Sequence, residues 1–145
     1  VTEAQMRELV SATFKAAWET AQPGVPLILE NEAAPSGDEQ VLLTIQPTMS
    51  QQATQGRAGT RKTRRNGWIQ VKLWSPANAG TATATARGDA VRRILEMVSL
   101  PSPIPGDDPV TTMAESAGPR GHSSGDGSRW YMSLIRIPYW YFETK

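Results

Sequence analysis

The sequence predicts an α+β fold: two helices packed on one face of a four- to five-stranded mixed or antiparallel sheet, with a long hairpin loop. Two observations predict it. Two stretches, one opening the chain and one beginning near Thr81, repeat their apolar residues at three- and four-residue steps, the period of a helix. Residues 41–46, 68–74 and 130–137 alternate instead with a period of two. The order is therefore helix, strands, helix, strands.

Thr2-Glu3-Ala4-Gln5 has the form of a capping box, in which the hydroxyl and the amide satisfy orphan backbone donors. Met6, Leu9, Val10, Phe14, Ala17, Trp18 and Ala21 then build one apolar helix face, which Pro23-Gly24 stops after Gln22. Pro26 to Glu30 is a short strand candidate and Val41 to Ile45 a stronger one, with Pro35-Ser36-Gly37-Asp38 as turn chemistry between them. Residues 47–66 read as a long basic loop without an aromatic residue. From Trp68 to Trp74 the chain returns antiparallel, with Ile69, Val71 and Leu73 on one side and Trp68, Gln70, Lys72 and Trp74 on the other. Pro76 should end the pairing, and Thr81 is placed to cap the second helix.

That helix offers Ala82, Ala86, Ala90, Ile94 and Val98 as a narrow, mostly small face. Gly88 inside it costs about 1 kcal/mol relative to Ala, which implies close approach to a sheet or a neighbouring subunit. Prolines 101, 103, 105 and 109 rule out helix after Leu100, and residues 101–128 form a Pro/Gly-rich insertion. Within it, Val110 to Glu115 is a possible strand and Gly118 to Gly127 a loop. The segment from Trp130 to Phe142 is the most β-prone of the chain, and Pro138 should mark a bulge, a sheet edge or its end.

At 145 residues the whole chain, 1–145, fits one domain able to bury roughly 68–70% of its unfolded surface. With no cysteine, thiol catalysis, disulfides and thiolate metal sites are excluded. No apolar run reaches the roughly 20 residues of a membrane span, and the opening residues do not resemble a signal peptide. A protein with no membrane association, made in the cytoplasm, is the expectation. Charge is uneven: residues 1–46 sum to −5, residues 47–93 to +8 and the remainder to −2. Opposed charged surfaces suit a protein that orders copies of itself or faces a charged partner.

No catalytic constellation stands out. Gly121-His122-Ser123-Ser124-Gly125 matches the hydrolase G-x-S-x-G pattern, but that elbow needs a strand-to-helix turn. Here a Gly/Ser loop surrounds it and the single histidine lies inside the motif. A serine hydrolase using Ser123 is thus the weak alternative. Arg87-Gly88-Asp89 lies in a helix rather than at a loop tip, Asp107-Asp108 read as a solvated turn, and no phosphate-binding glycine loop is present. We expect no catalytic residues, cofactor or metal. Arg57, Arg61, Lys62, Arg64 and Arg65 are different: five cations in nine residues read either as a solvated, disordered loop or as a loop that orders against an acidic partner surface or passing nucleic acid. The candidate subunit-interface residues are Ala82, Ala86 and Ala90 of the helix with Trp140 and Tyr141 of the aromatic tail.

In sequence, the helix ending near Trp18, the Leu29-Glu30-Asn31 strand end, the Pro35–Gly37 turn, the Val41–Gln46 strand and the Arg-rich loop are followed by Gly67-Trp68-Ile69-Gln70-Val71 and Ser75-Pro76-Ala77-Asn78-Ala79-Gly80. This order resembles the tail-terminator family of long-tailed bacteriophages over roughly residues 5–100, and again from Trp130. The insertion around 101–127 is longer and more polar than that pattern. The resemblance implies a virion protein of the tail or neck, assembled in the host cytoplasm as a homo-oligomer, a hexameric ring. Such a ring caps the tail tube protein, stops tube polymerisation and offers a surface to the head-side connector, while DNA passes through the lumen without sequence-specific binding. Another neck or head–tail connector protein is the neighbouring alternative.

Overall fold

The structure is a computed structural model that describes residues 1–30, 32, 40–52, 57–76, 82–116, 121–123 and 130–144. Helix α1 spans Glu3–Ala21. Its capping box is formed as expected: Gln5 N donates to Thr2 Oγ1 at 3.3 Å and Thr2 N to Gln5 Oε1 at 2.9 Å. Met6, Val10, Phe14 and Trp18 are the buried stripe. The indole of Trp18 donates to the Val25 carbonyl at 3.2 Å, so the chain leaving the helix is tied to its last turn.

Strands β1 (Leu27–Ile28), β2 (Gln40–Gln52) and β3 (Lys62–Pro76) precede helix α2 (Ala82–Leu95). After it come β4 (Ser99–Leu100), β5 (Val110–Thr112), β6 (Gly121–Ser123) and β7 (Trp130–Thr144). The sheet order is β1-β2-β3-β7-β5-β4, with β6 also paired to β7. Only β1 on β2 is parallel, so the sheet is mixed. The class is the expected one, with more strands than four or five. Short strands are expected at residues 26–30 and 110–115, where β1 and β5 lie; the additional ones, β4 and β6, are two and three residues long, too short for alternation to reveal.

One core lies between the sheet and both helices. Val41, Leu43 and Ile45 of β2, Ile69, Val71 and Leu73 of β3, and Ile135, Ile137, Tyr139 and Tyr141 of β7 meet the α1 stripe and Val91 and Leu95 of α2. Thr112 closes the C-terminus of α2: its hydroxyl bonds the Leu95 carbonyl at 2.5 Å and accepts from Val98 N at 2.9 Å.

Several expectations are corrected. The buried face of α2 is Ala84, Arg87, Gly88, Ala90, Val91 and Leu95, which leaves Ala82 and Ala86 exposed. The small face read from the sequence is rotated because the core takes the large apolar pair Val91 and Leu95, with Ala84, Arg87 and Gly88 on the same row. A Cβ on Gly88 would lie 3.6 Å from Ile135 Cδ1. Pro138 sits inside β7 rather than at its end. In a strand the N–H and C=O of one residue face the same flank. The Pro138 carbonyl accepts from Met113 N at 2.9 Å, so the missing donor faces the flank where β5 has just ended and no ladder bond is lost. Residues 121–123 form a strand within the expected Gly/Ser loop. The Pro35–Asp38 turn, the Ala77–Gly80 stretch and the Thr81 cap lie outside the described residues.

Candidate partner-binding surface

Strand alternation decides what the second face of the sheet presents. With Ile69, Val71 and Leu73 turned to the helices, Arg64, Asn66, Trp68, Gln70, Lys72 and Trp74 fall on the opposite side. The register sets Phe142, Trp140, Pro138, Arg136, Leu134 and Met132 of β7 directly across from them. Leu42, Thr44 and Gln46 of β2 complete the face. Both helices pack on the other side. The tryptophans, Phe142, Leu134 and Met132 are therefore half-buried by their neighbours alone.

This face is cationic and carries no carboxylate from β2, β3 or β7, because the single acid of those strands, Glu143, belongs to the helix side. The Arg64 guanidinium lies 4.9 Å from the centre of the Trp140 ring, and Lys62 Nζ lies 5.7 Å from that of Phe142. The two rings meet edge to face at 5.5 Å. Arg64 Nε is buried without a hydrogen-bond acceptor among the described residues. Arg136 Nε donates to Gln70 Oε1 at 3.2 Å, which holds that amide in the middle of the sheet.

The structure relocates most of the basic cluster. The stretch 47–66, read as one loop, is largely strand: β2 continues to Gln52 and β3 starts at Lys62. Strand β7 reaches Thr144 and pairs with β3 as far as Lys62, so Lys62, Arg64 and Arg65 are held between two strands. Lys62 pairs with Asp108, and Arg65 pairs with Glu143 at 2.6 Å. Glu143 comes from β7 and Asp108 from the stretch before β5, and nothing local to the basic run reveals them. Arg57 and Arg61 remain on the exposed connection between the strands.

The interface candidates divide as well. Trp140 is on the helix-free face, whereas Tyr141 is only 2% exposed and belongs to the core, where it stacks with Tyr139 at 6.3 Å. Tyr141 is thus corrected from a subunit contact to a core residue, as its odd position in β7 requires. Ala90 is buried too, while Ala82 and Ala86 are exposed on α2. Lys72 and Arg136 escaped sequence reasoning because they lie far apart in the chain. The available signal was their shared alternation with aromatic neighbours.

On the helix side the surface is acidic. Glu8, Glu30 and Glu32 line a cleft of about 280 Å³ together with Arg7, Leu29, Leu43 and Ile45. Glu30 accepts from Ile45 N at 2.7 Å and from Arg7 at 2.6 Å, and Glu32 accepts from Leu29 N at 3.0 Å. Asp107, read as solvated, instead accepts from the Val1 ammonium at 2.5 Å, which holds its carboxyl below the usual carboxylate range.

Ser123 lies in β6, paired with Tyr131 of β7, and the next described element is again a strand. Among the described residues no acidic or histidine group is arranged to hold a metal, and no helix is long and apolar enough to cross a membrane.

No family model matches the chain, and no curated protein matches it. A solved structure that bears only a serial designation is similar to it, with a TM-score of 0.62 and 17% identity over 96% of each chain. The likeness extends along nearly the whole chain and concerns the fold alone.

Proposed function

We propose that this chain is a ring-forming structural protein of a phage tail, a terminator that caps the tail tube, stops its polymerisation and presents the head-joining surface. The observation that carries the proposal is the helix-free sheet face. Trp68, Trp74, Trp140, Phe142 and Leu134 sit on one side of a two-layer fold with both helices on the other. A face rich in Trp, Phe, Met and Arg, to which β2, β3 and β7 contribute no carboxylate, has the composition of a protein–protein interface core. The order of elements that resembles tail terminators gives that interface its assignment. No catalytic role is proposed: Ser123 sits in β6, paired with Tyr131 of β7.

Mass photometry of the protein, alone and with tail tube protein, tests the reading. A closed oligomer that forms on or with the tube and stops its elongation is the expected result. A monomer at every concentration and on the tube would remove the proposal. A ring that ignores the tube but binds head-side protein would reassign it as a connector.

A further inference from the structure

We infer that the helix-free sheet face of one copy docks on the acidic α1 side of a second copy. The inference rests on the ring reading above and names the two surfaces that would form the ring.

The two surfaces are complementary in charge and cannot meet within one chain. The sheet face presents Arg64, Lys72 and Arg136 with no carboxylate from the three long strands. The α1 side presents Glu3, Glu8, Glu19, Glu30 and Glu32 against Arg7 and Lys15. Helix α1 packs on the core side of the sheet, so these patches point in opposite directions from one molecule. Their attraction is satisfied only between copies. A contact between two unlike patches is heterologous, and repeated heterologous contacts close into a ring when the rotation permits.

Two features favour a protein occupant over single-stranded nucleic acid. Base stacking uses free ring faces, and at one end of the sheet face Arg64 already lies over Trp140 and Lys62 over Phe142. The acceptor surface is also already formed. Glu30 and Glu32 are fixed by the Ile45 and Leu29 amides, so they lose little freedom when a cation arrives.

The experiment uses two charge-reversed proteins under conditions in which the unaltered chain assembles, alone or on tail tube protein. One carries Lys72→Glu with Arg136→Glu, and the other Glu8→Lys with Glu19→Lys. Each should assemble at least about tenfold more weakly than the unaltered chain, since opposed charges become like charges. An equal mixture should restore mixed rings, and a chain with all four changes should assemble by itself. Circular dichroism confirms that each protein is folded. The milder pair Lys72→Gln and Arg136→Gln, expected to weaken assembly by less, replaces the first should it unfold. Normal assembly of either reversed protein, or no rescue in the mixture, overturns the docking while the ring reading stands. Failure of the unaltered chain to assemble even on the tube overturns both. Saturable quenching of tryptophan fluorescence by oligothymidylate, in a chain that does not self-assemble, reassigns the face to nucleic acid.

Discussion

Gly67 lies directly beneath the phenol of Tyr139, its cross-strand partner between β3 and β7. A Cβ at Gly67 would fall 2.5 Å from Tyr139 Cζ and 2.5 Å from the Gln46 carbonyl oxygen. The absent side chain is what lets Tyr139 lie in the core at 1% exposure. The same register keeps Trp68 and Trp140, one residue further along each strand, on the opposite face. A single glycine thus bears on both layers of the protein.

Gly67→Ala is therefore expected to destabilise the fold by about 1–3 kcal/mol, the range for overpacking a filled site. The upper part of that range applies, because one of the clashing atoms is backbone and cannot rotate away. Tyr139→Phe in the same chain should not rescue it, since Cζ and the Gln46 oxygen stay in place. Chemical denaturation of the three variants checks this, and full recovery in the double variant would contradict it.

Tyr139 also sets a pH limit. Burial, followed by the neighbouring Tyr141, pushes its phenol well above the ordinary value of 10.0, and burial raises Tyr141 as well. A folded-state value above the unfolded one gives stability that is fully present below about pH 10 and is lost as pH rises through the folded value. Two of the three tyrosines should stay protonated until the chain unfolds, so tyrosinate absorbance and loss of circular dichroism should rise together. Tyr139→Phe should move the alkaline transition upward. Titration of both phenols near the ordinary value in folded protein would contradict the burial argument.

The fold was legible wherever a period ran for several turns or pairs. The Met6–Trp18 stripe and the Ile69–Leu73 alternation are local statements, and the structure reproduces both. The fate of the basic run was not legible. Lys62, Arg64 and Arg65 look like loop cations until Asp108, Trp140 and Glu143 are brought beside them from more than forty residues away. The α2 face failed for a different reason: the alanine row from Ala82 drew the reading, whereas the core takes Val91 and Leu95, whose row also carries Ala84, Arg87 and Gly88. The helix-free face was half legible, since Trp68 to Trp74 showed its alternation, but only the β3–β7 register reveals that Arg136 and Trp140 share it.

The basic residues should separate into two kinds. Arg65→Ser removes the 2.6 Å pair with the largely buried Glu143 and should lower stability by about 1 kcal/mol or somewhat more. Arg57→Ser with Arg61→Ser changes exposed residues of the connection and should lower stability less than Arg65→Ser does, because surface substitutions of this kind change little. Joining of tails to heads, assayed with the second pair, then reports on partner contact without interference from folding. A large loss of stability in the second pair would show that the connection is part of the folded body.

Helix α2 offers a last contrast between two small residues two positions apart. Gly88 faces Ile135, and a Cβ there would also lie 3.3 Å from Arg92 Nη1, the far end of a long side chain that donates to the exposed Asp89 at 3.0 Å. The Arg92–Glu115 bond at 2.7 Å is made through Nε and survives a small shift of that end. Gly88→Ala should therefore gain part of the roughly 1 kcal/mol helix-propensity difference, a net stabilisation. Gly88→Leu should instead destabilise the fold by about 1–3 kcal/mol, because Ile135 already lies 3.6 Å from where its Cβ would be and the larger side chain extends beyond it. Ala86 is exposed, and Ala86→Arg should leave the melting temperature unchanged. If the sheet face and α1 form the subunit contact, Ala86→Arg also assembles normally. Loss of assembly in a stably folded Ala86→Arg would return the seam to the outer face of α2.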